Sequence, residues 1–294
     1  MSQTKNYIPL SKELEERIRE DRENHVKNPY ACSDDAVIRR DMAHDKQTIW
    51  RPAFVRDCEK IMHIPYYNRY ADKTQVFSLY KNDDISRRAS HVQLVSRTAR
   101  NIGQALNLNL DLIEAISIGH DIGHTPFGHA GERTLNRICP MGFVHSEQSI
   151  RIVEKLEKDG QGLNLTKEVR DGILNHQTSS MPSTLEGKVV RLSDKIAYIN
   201  HDIDDAIRAK IFSETDIPKA FTEVLGDTTK SRLNTMIQDI IHNSIGKNEI
   251  CMSDEVHQAM MELRKFMFGS LYQNPLAKSE EAKADYGTVW ILYG

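Results

Sequence analysis

The chain has 294 residues, 39% of them hydrophobic, enough to bury the core of one large domain or of a domain with a helical appendage. A total of 39 Lys and Arg against 42 Asp and Glu gives a net charge of -3, which excludes a surface built to wrap a polyanion and leaves room only for a local basic pocket. Four scattered cysteines, Cys32, Cys58, Cys139 and Cys251, contain no CxxC pair, which excludes a thiolate zinc site and a disulfide framework.

No apolar run reaches the length of a membrane span, and the opening MSQTKNYIPLSKELEERIRE lacks the apolar segment of a secretory signal. These features predict a soluble, cytoplasmic protein. Helical periodicity dominates and no series of alternating strands is found, so the expected fold is all-α. The first fifty residues are polar, with a short helix expected over 11–27 and then an arm through Asn28 and Pro29 that packs weakly or against a partner chain. Further along, SRRASHVQLVSRTARNIGQAL (86–106) places Val92, Val95, Ala99, Ile102 and Leu106 on one stripe, with His91 at its inner edge.

The next helix is expected to start near Asn109, where Asp111 and Glu114 suit a first turn. Ile113, Ile116, Ser117, His120 and His124 then recur at spacings of three and four, until Gly123, Pro126 and Gly128 stop the pattern. A further helix is expected over 186–212, with Val189, Leu192, Ile196, Ile199 and Ile203 inward and Asp194, Tyr198 and Asp202 aligned on a neighbouring face. Beyond Ser213 more helices follow, and the cluster MMELRKFMF reads most simply as core. The chain thus divides into a polar arm (1–50), a catalytic core (51–212) and a C-terminal helical appendage (213–294) packed on that core.

The segment GHDIGHTPFGHAGE (119–132) holds three histidines and two acids among four glycines. His120 and Asp121 are neighbours, about 100° apart around a helix, so both reach one ion only where the helix ends. His91 and Asp194 approach from comparable faces as further ligand candidates. Two imidazoles and two carboxylates suit one divalent ion in an open geometry with waters: manganese, magnesium, iron, nickel or zinc. A single histidine on an apolar face is more often a hydrogen-bonded core residue, and His201–Asp202 shows that an HD pair also arises elsewhere in this chain. The clustering of His120, His124 and His129 with Glu132 is harder to assign to packing, because each buried imidazole needs a partner.

His91, the 119–132 segment, His145 in GFVHSEQS, the run GLNLTKEV, and LSDKIAYINHDIDD together resemble the deoxynucleoside triphosphate triphosphohydrolases of the HD superfamily, typified by the bacterial deoxyguanosine triphosphate enzymes. The upstream RRD (39–41), FVRDCEKIMH and KTQVF fit the same pattern, whereas NRYAD before KTQVF departs from the arginine pair and leucine common there. The resemblance implies metal ligation by His91, His120, Asp121 and Asp194. It places His124, His129 and Glu132 around the α-phosphate, the last two as a proton-transfer pair, and His145 in the same pocket. It assigns Gln75 and Asp202 to the sugar 3'-hydroxyl, Tyr198 to crowding C2' against ribonucleotides, and Arg88 and Lys195 to phosphates. The cation-rich set also suits a polyphosphate on physical grounds, and Gly123, Gly128 and Gly131 are expected to let phosphate oxygens approach the backbone.

The implied activity is metal-dependent hydrolysis of deoxynucleoside triphosphates, dGTP among them, to deoxynucleoside and tripolyphosphate, by a homo-oligomer. Alternatives are an HD-type nucleotide phosphatase or phosphodiesterase, and a noncatalytic nucleotide-binding regulator, for which single-stranded nucleic acid is conceivable but not indicated by the charge. His25, His44, His63, His176, His242 and His257 are read as structural or surface residues, with His63 and His176 left open as pocket neighbours.

Overall fold

A computed structural model describes Lys12 and residues 28–73, 84–271, 283 and 285–289. The helix expected over 11–27 therefore lies outside the described residues, apart from helical Lys12, and so does Gln75. Among the described residues the fold is all-α, with a single isolated bridge, Thr48 to Arg51, in place of any sheet.

The helices are α1 (Ala53–Met62), the single turn α2 (Pro65–Asn68), α3 (Arg88–Ala105), α4 (Leu110–Gly119), α5 (Gly128–Ile138), α6 (His145–Arg151), α7 (Lys167–Leu174) and α8 (Leu185–Arg208). Three more follow: α9 (Lys219–Leu225), α10 (Thr229–Ser244) and α11 (Asp254–Leu271). Helix α4 is the centre, packed by α1, α3, α7 and α8. Its Leu112, Ile113, Ala115, Ile116 and Ile118 are all buried, as an apolar helix with no solvent face must be. It starts where expected, because the Asn109 side chain accepts hydrogen bonds from the amides of Asp111 and Leu112.

Helix α8 begins at a Thr184 cap that accepts from the Gly187 amide at 3.0 Å, and it ends at Arg208 rather than 212. There Lys210 turns left-handed (φ 57°) and the Ile211 amide donates back to the Ala206 carbonyl at 3.0 Å, a Schellman-type closure that stops the helix despite its continuing apolar pattern.

The arm 28–52 is not loosely packed. Arg39 is buried, pairs with Asp57 of α1 at 2.5 Å, and donates to the Asn164 carbonyl at 2.7 Å. The other Asp57 oxygen accepts from the Thr166 amide at 2.8 Å, and Asn164 donates to the Asp41 carbonyl at 2.7 Å. The RRD, FVRD and GLNLTKEV runs thus form one buried knot that seats the arm against the start of α7. A polar arm reads as solvent-facing from composition alone; Asn164, one of its partners, lies over a hundred residues away.

Candidate active site

Helix α4 ends at Gly119, and His120 caps it by hydrogen-bonding through Nδ1 to the Ser117 carbonyl of its last turn at 2.6 Å. That bond places the ring hydrogen on Nδ1 and leaves a lone pair on Nε2. Residues 120–127 then form a tight turn, with the His124 amide bonded to the Asp121 carbonyl at 2.9 Å and Phe127 left-handed at φ 63°. Ser149 of α6 clips the turn: its hydroxyl accepts from the Gly123 amide at 2.9 Å and lies 3.0 Å from the His120 carbonyl. Lys73 adds a hydrogen bond to the His124 carbonyl at 2.5 Å.

Gly123 and Gly131 serve this packing rather than open space for phosphate. A Cβ on Gly123 would lie 2.3 Å from the Ser149 amide nitrogen and 2.4 Å from the His145 carbonyl oxygen, and one on Gly131 would lie 2.1 Å from the Pro126 carbonyl oxygen. The sequence suggested small residues facing a ligand; the structure fills their faces with protein backbone.

Opposite the turn, α3 presents His91 and α8 presents Asp194, which meet at 2.9 Å between Nε2 and Oδ1. His120 Nε2 faces Asp194 Oδ1 at 3.7 Å and Asp121 Oδ1 at 3.6 Å, and has no hydrogen-bond partner among the described residues. A buried ring nitrogen facing two carboxylates calls for positive charge between them, a ring proton or a bound metal ion. Burial disfavours charge on His120, yet Asp121 and Asp194 outweigh it and push its pKa up to about 9. His91, His120 and Asp121 have donor atoms close enough to share one ion, and Asp194, bonded to His91, adds a second carboxylate, a set that fits the divalent ion expected from the sequence. The Asp121 oxygen turned away from this set pairs with the buried Arg88 guanidinium. Arg88 therefore reaches the site through a ligand as well as lining the cavity.

Glu132 of α5 joins three hydrogens. Its Oε1 accepts from the backbone amide and Nδ1 of His145, each at 2.8 Å, and its Oε2 from His129 Nδ1 at 3.1 Å. Burial would raise the Glu132 pKa, but hydrogen bonds from His129 and His145 hold it well below the usual range. His124 stacks on His145 with centroids 4.4 Å apart, and burial followed by the positive Arg88 keeps it neutral.

Arg88, His91, Asp121, His124, His129, His145 and Asp194 line one cavity of about 310 Å³ with Lys195, Tyr198, His176, Gln177 and Arg264, and His120 lies buried behind them. Burial, then Arg191 and Arg264, lowers the Lys195 pKa to about 8. Tyr198 hydrogen-bonds to Asp202, which lies in an adjoining cavity beside Phe143, Met267 and Phe268. Of the candidate site residues read from sequence, all those described gather around this cavity, with Glu132 and Asp202 on the wall of the adjoining one.

Two contributors escaped the sequence reading, and a third was left open. Arg264 sits in the MMELRKFMF run, where Met260, Leu263 and Met267 are core as expected while the arginine turns along α8 into the pocket. Gln177 follows α7 in a loop without periodicity. His176 was left open and is buried in the site, whereas His63 lies elsewhere, near Arg51 and Lys158.

Residues 88–199, the span that carries both HD ligands and their partners, match the HD domain family. That match, with the buried His–Asp set, defines a metal-dependent phosphohydrolase. Relatives resolve the class further. A deoxyguanosinetriphosphate triphosphohydrolase-like protein of Caldanaerobacter subterraneus is 50% identical over 94% of this chain and 81% of its own length. Proteins of the same description from Clostridium perfringens and Desulfatibacillum aliphaticivorans are 44% and 40% identical, over 92% and 90% of this chain and 82% and 79% of theirs. The chain belongs to the deoxyguanosinetriphosphate triphosphohydrolase-like family. No helix among the described residues is long and apolar enough to cross a membrane.

Proposed function

We propose that this protein hydrolyses deoxynucleoside triphosphates, dGTP among them, between the 5'-oxygen and the α-phosphorus, giving deoxynucleoside and tripolyphosphate. The observation that carries the reading is the coupling, in one cavity, of a buried divalent-ion site to a Glu132-linked pair of histidines and to the cationic side chains Arg88, Lys195 and Arg264. His91, His120, Asp121 and Asp194 hold the ion, which when bound withdraws charge from phosphate and lowers the pKa of water.

The chain's own groups do the rest. Lys195 and Arg264 neutralise the polyphosphate, which carries about four negative charges and is stabilised by fixed cations in a low-dielectric cleft. Glu132 holds the His129 hydrogen on Nδ1, so that the positively charged ring delivers its other proton, from Nε2, to the leaving 5'-oxygen. Water contributes its oxygen to the α-phosphorus, and of its two protons one goes to solvent while the other, by exchange through solvent, replaces the proton that His129 gave up. His124, kept neutral, and His145, stacked on it, present a polar wall to the same phosphate. Tyr198 stands beside His129, with ring centroids 6.2 Å apart, where a bulky ring crowds a 2'-hydroxyl. Asp202 and Gln75 take the 3'-hydroxyl.

Within this reading residues 51–212 form the catalytic core, and the appendage 213–294 contributes a wall through Arg264. The enzyme works as a cytoplasmic homo-oligomer. Chromatography of the products from each dNTP tests the reading: tripolyphosphate with deoxynucleoside supports it, and monophosphate with pyrophosphate refutes it.

A further inference from the structure

Helix α5 carries His129 and Glu132, yet its own burial does little to hold it. Only Gly128, Gly131 and Thr134 of its residues are buried, at spacings of three along one face, and none brings a large apolar side chain. It starts from a left-handed pair, Phe127 (φ 63°) and Gly128 (φ 54°). A bulky residue keeps such a conformation only where its surroundings impose it. On the site side, Glu132 ties the helix to His145. On another side the ties come from residues 285–289, a helical stretch that the activity proposed above does not use.

Asp285 accepts a hydrogen bond from the Thr134 hydroxyl and two from Arg137, at 2.8 and 3.0 Å. The Arg137 and Asp285 side chains are 63% and 44% exposed, and an ion pair so open to water contributes little. Thr134 is 3% exposed, so its shielded hydroxyl carries the link. Without Asp285 that hydroxyl falls back on the Ala130 carbonyl, 3.1 Å away in its own helix, and no longer joins α5 to another segment. Two residues on from Asp285, a Cβ on Gly287 would lie 3.3 Å from the Phe127 ring, which therefore rests on bare backbone. Thr288, next in line, is buried. One short stretch thus grips α5 both at its left-handed start and beyond its middle.

We propose that residues 285–289 strap α5 in place and so position the His129–Glu132 pair, with Asp285 and Gly287 as the positioning residues. The effect on turnover rests on the reading of that pair as the proton-transfer group; the packing does not. Slack in α5 displaces His129 from the leaving oxygen, and a misplacement of about 1 Å costs up to about 10²-fold. Substrate binding changes much less, because Lys195 and Arg264 sit on α8 and α11.

The test combines hydrogen exchange of the full chain, read by mass spectrometry on peptides covering 128–138, with steady-state kinetics on dGTP and Mn2+. Asp285→Ala and Gly287→Ile are each expected to speed exchange in α5 about fivefold, the worth of one ordinary hydrogen bond, and to leave α4 unchanged. For both variants kcat falls about tenfold while KM stays within twofold. Asp285→Asn keeps an Oδ1 acceptor for Thr134 and Arg137, and it restores both readouts to within twofold of wild type. Unchanged exchange in α5 overturns the proposal, and so does faster exchange with unchanged kcat. An Asp285→Asn enzyme as impaired as Asp285→Ala overturns the assignment to the Thr134 contact. A chain that releases no tripolyphosphate refutes the activity proposed above; the strap is then judged by exchange and by the same kcat-to-KM split on the ester that is cleaved.

Discussion

Replacing Glu132 with glutamine tests the proton-transfer pair with the smallest change of shape. The carboxylate now satisfies three N–H groups, two on Oε1 from His145 and one on Oε2 from His129. An amide has one acceptor oxygen and one NH2, so it serves only one side. Two hydrogen bonds on the His145 side outweigh one, and the NH2 is left facing His129 Nδ1. His129 must then move its hydrogen to Nε2 and loses the carboxylate that stabilises its charged form. A wrong tautomer in a positioned acid or base lowers turnover by about 10² to 10⁴. At about 1.36 kcal/mol per decade that is roughly 3–5 kcal/mol of transition-state stabilisation. KM moves much less, because the phosphate-facing cations are untouched. Steady-state kinetics on dGTP with manganese measures both constants, alongside a melting curve to show that the variant is folded. A folded Glu132→Gln enzyme with kcat within threefold of wild type would refute the reasoning.

Gly123→Ala forces a Cβ to within 2.4 Å of two backbone atoms of α6, about 1 Å inside ordinary contact, and neither atom can rotate away. Such overpacking costs about 1–3 kcal/mol, and a shift of about 1 Å in the turn that carries His120 and Asp121 lowers turnover roughly 10²-fold; thermal unfolding and kinetics check both, and an unchanged melting temperature would contradict the packing. Removing the ion with EDTA lowers the melting temperature, since an ion present at a hundred times its Kd stabilises by about 2.7 kcal/mol, and calorimetry of His120→Ala shows no such response. Asp45 supplies a pH test. Burial works against its charge, but hydrogen bonds from Lys60 and Arg56 win and hold its pKa below the ordinary 3.8. The folded state therefore binds this proton less readily than the unfolded one, and stability present above about pH 4 is lost as pH falls through 3.8 and below; Asp45→Asn flattens that acid limb in a urea titration.

The ligand-bearing half of the site was legible in the sequence because it obeys helical spacing. His91, Asp194 and Tyr198 sit on stripes whose inner edges must converge, and the glycine after His120–Asp121 marks where a helix stops. Gly123 and Gly131 were misread, because periodicity does not say whether a small residue faces a ligand or another backbone. Arg264 was hidden among Met and Phe in a run that looks like core, and the inward turn of one side chain in such a run depends on α11 lying along α8. His176 and Gln177 come from a loop after α7, where no pattern foretells direction.

A boundary at residue 50 looks natural on composition, yet Arg39 lies on the far side of it. Cutting there leaves the Asp57 carboxylate, 0% exposed, without its guanidinium and with Lys60 at 3.6 Å as its remaining counter-charge, and removing one partner of a buried ion pair costs about 3–5 kcal/mol. That loss is a large fraction of a typical domain's whole stability, and it falls on the residues that seat the first turn of α7. Anyone trimming this protein to its HD segment for crystallisation or display would loosen the very helix that delivers His176, and must start upstream of the arginine to keep it.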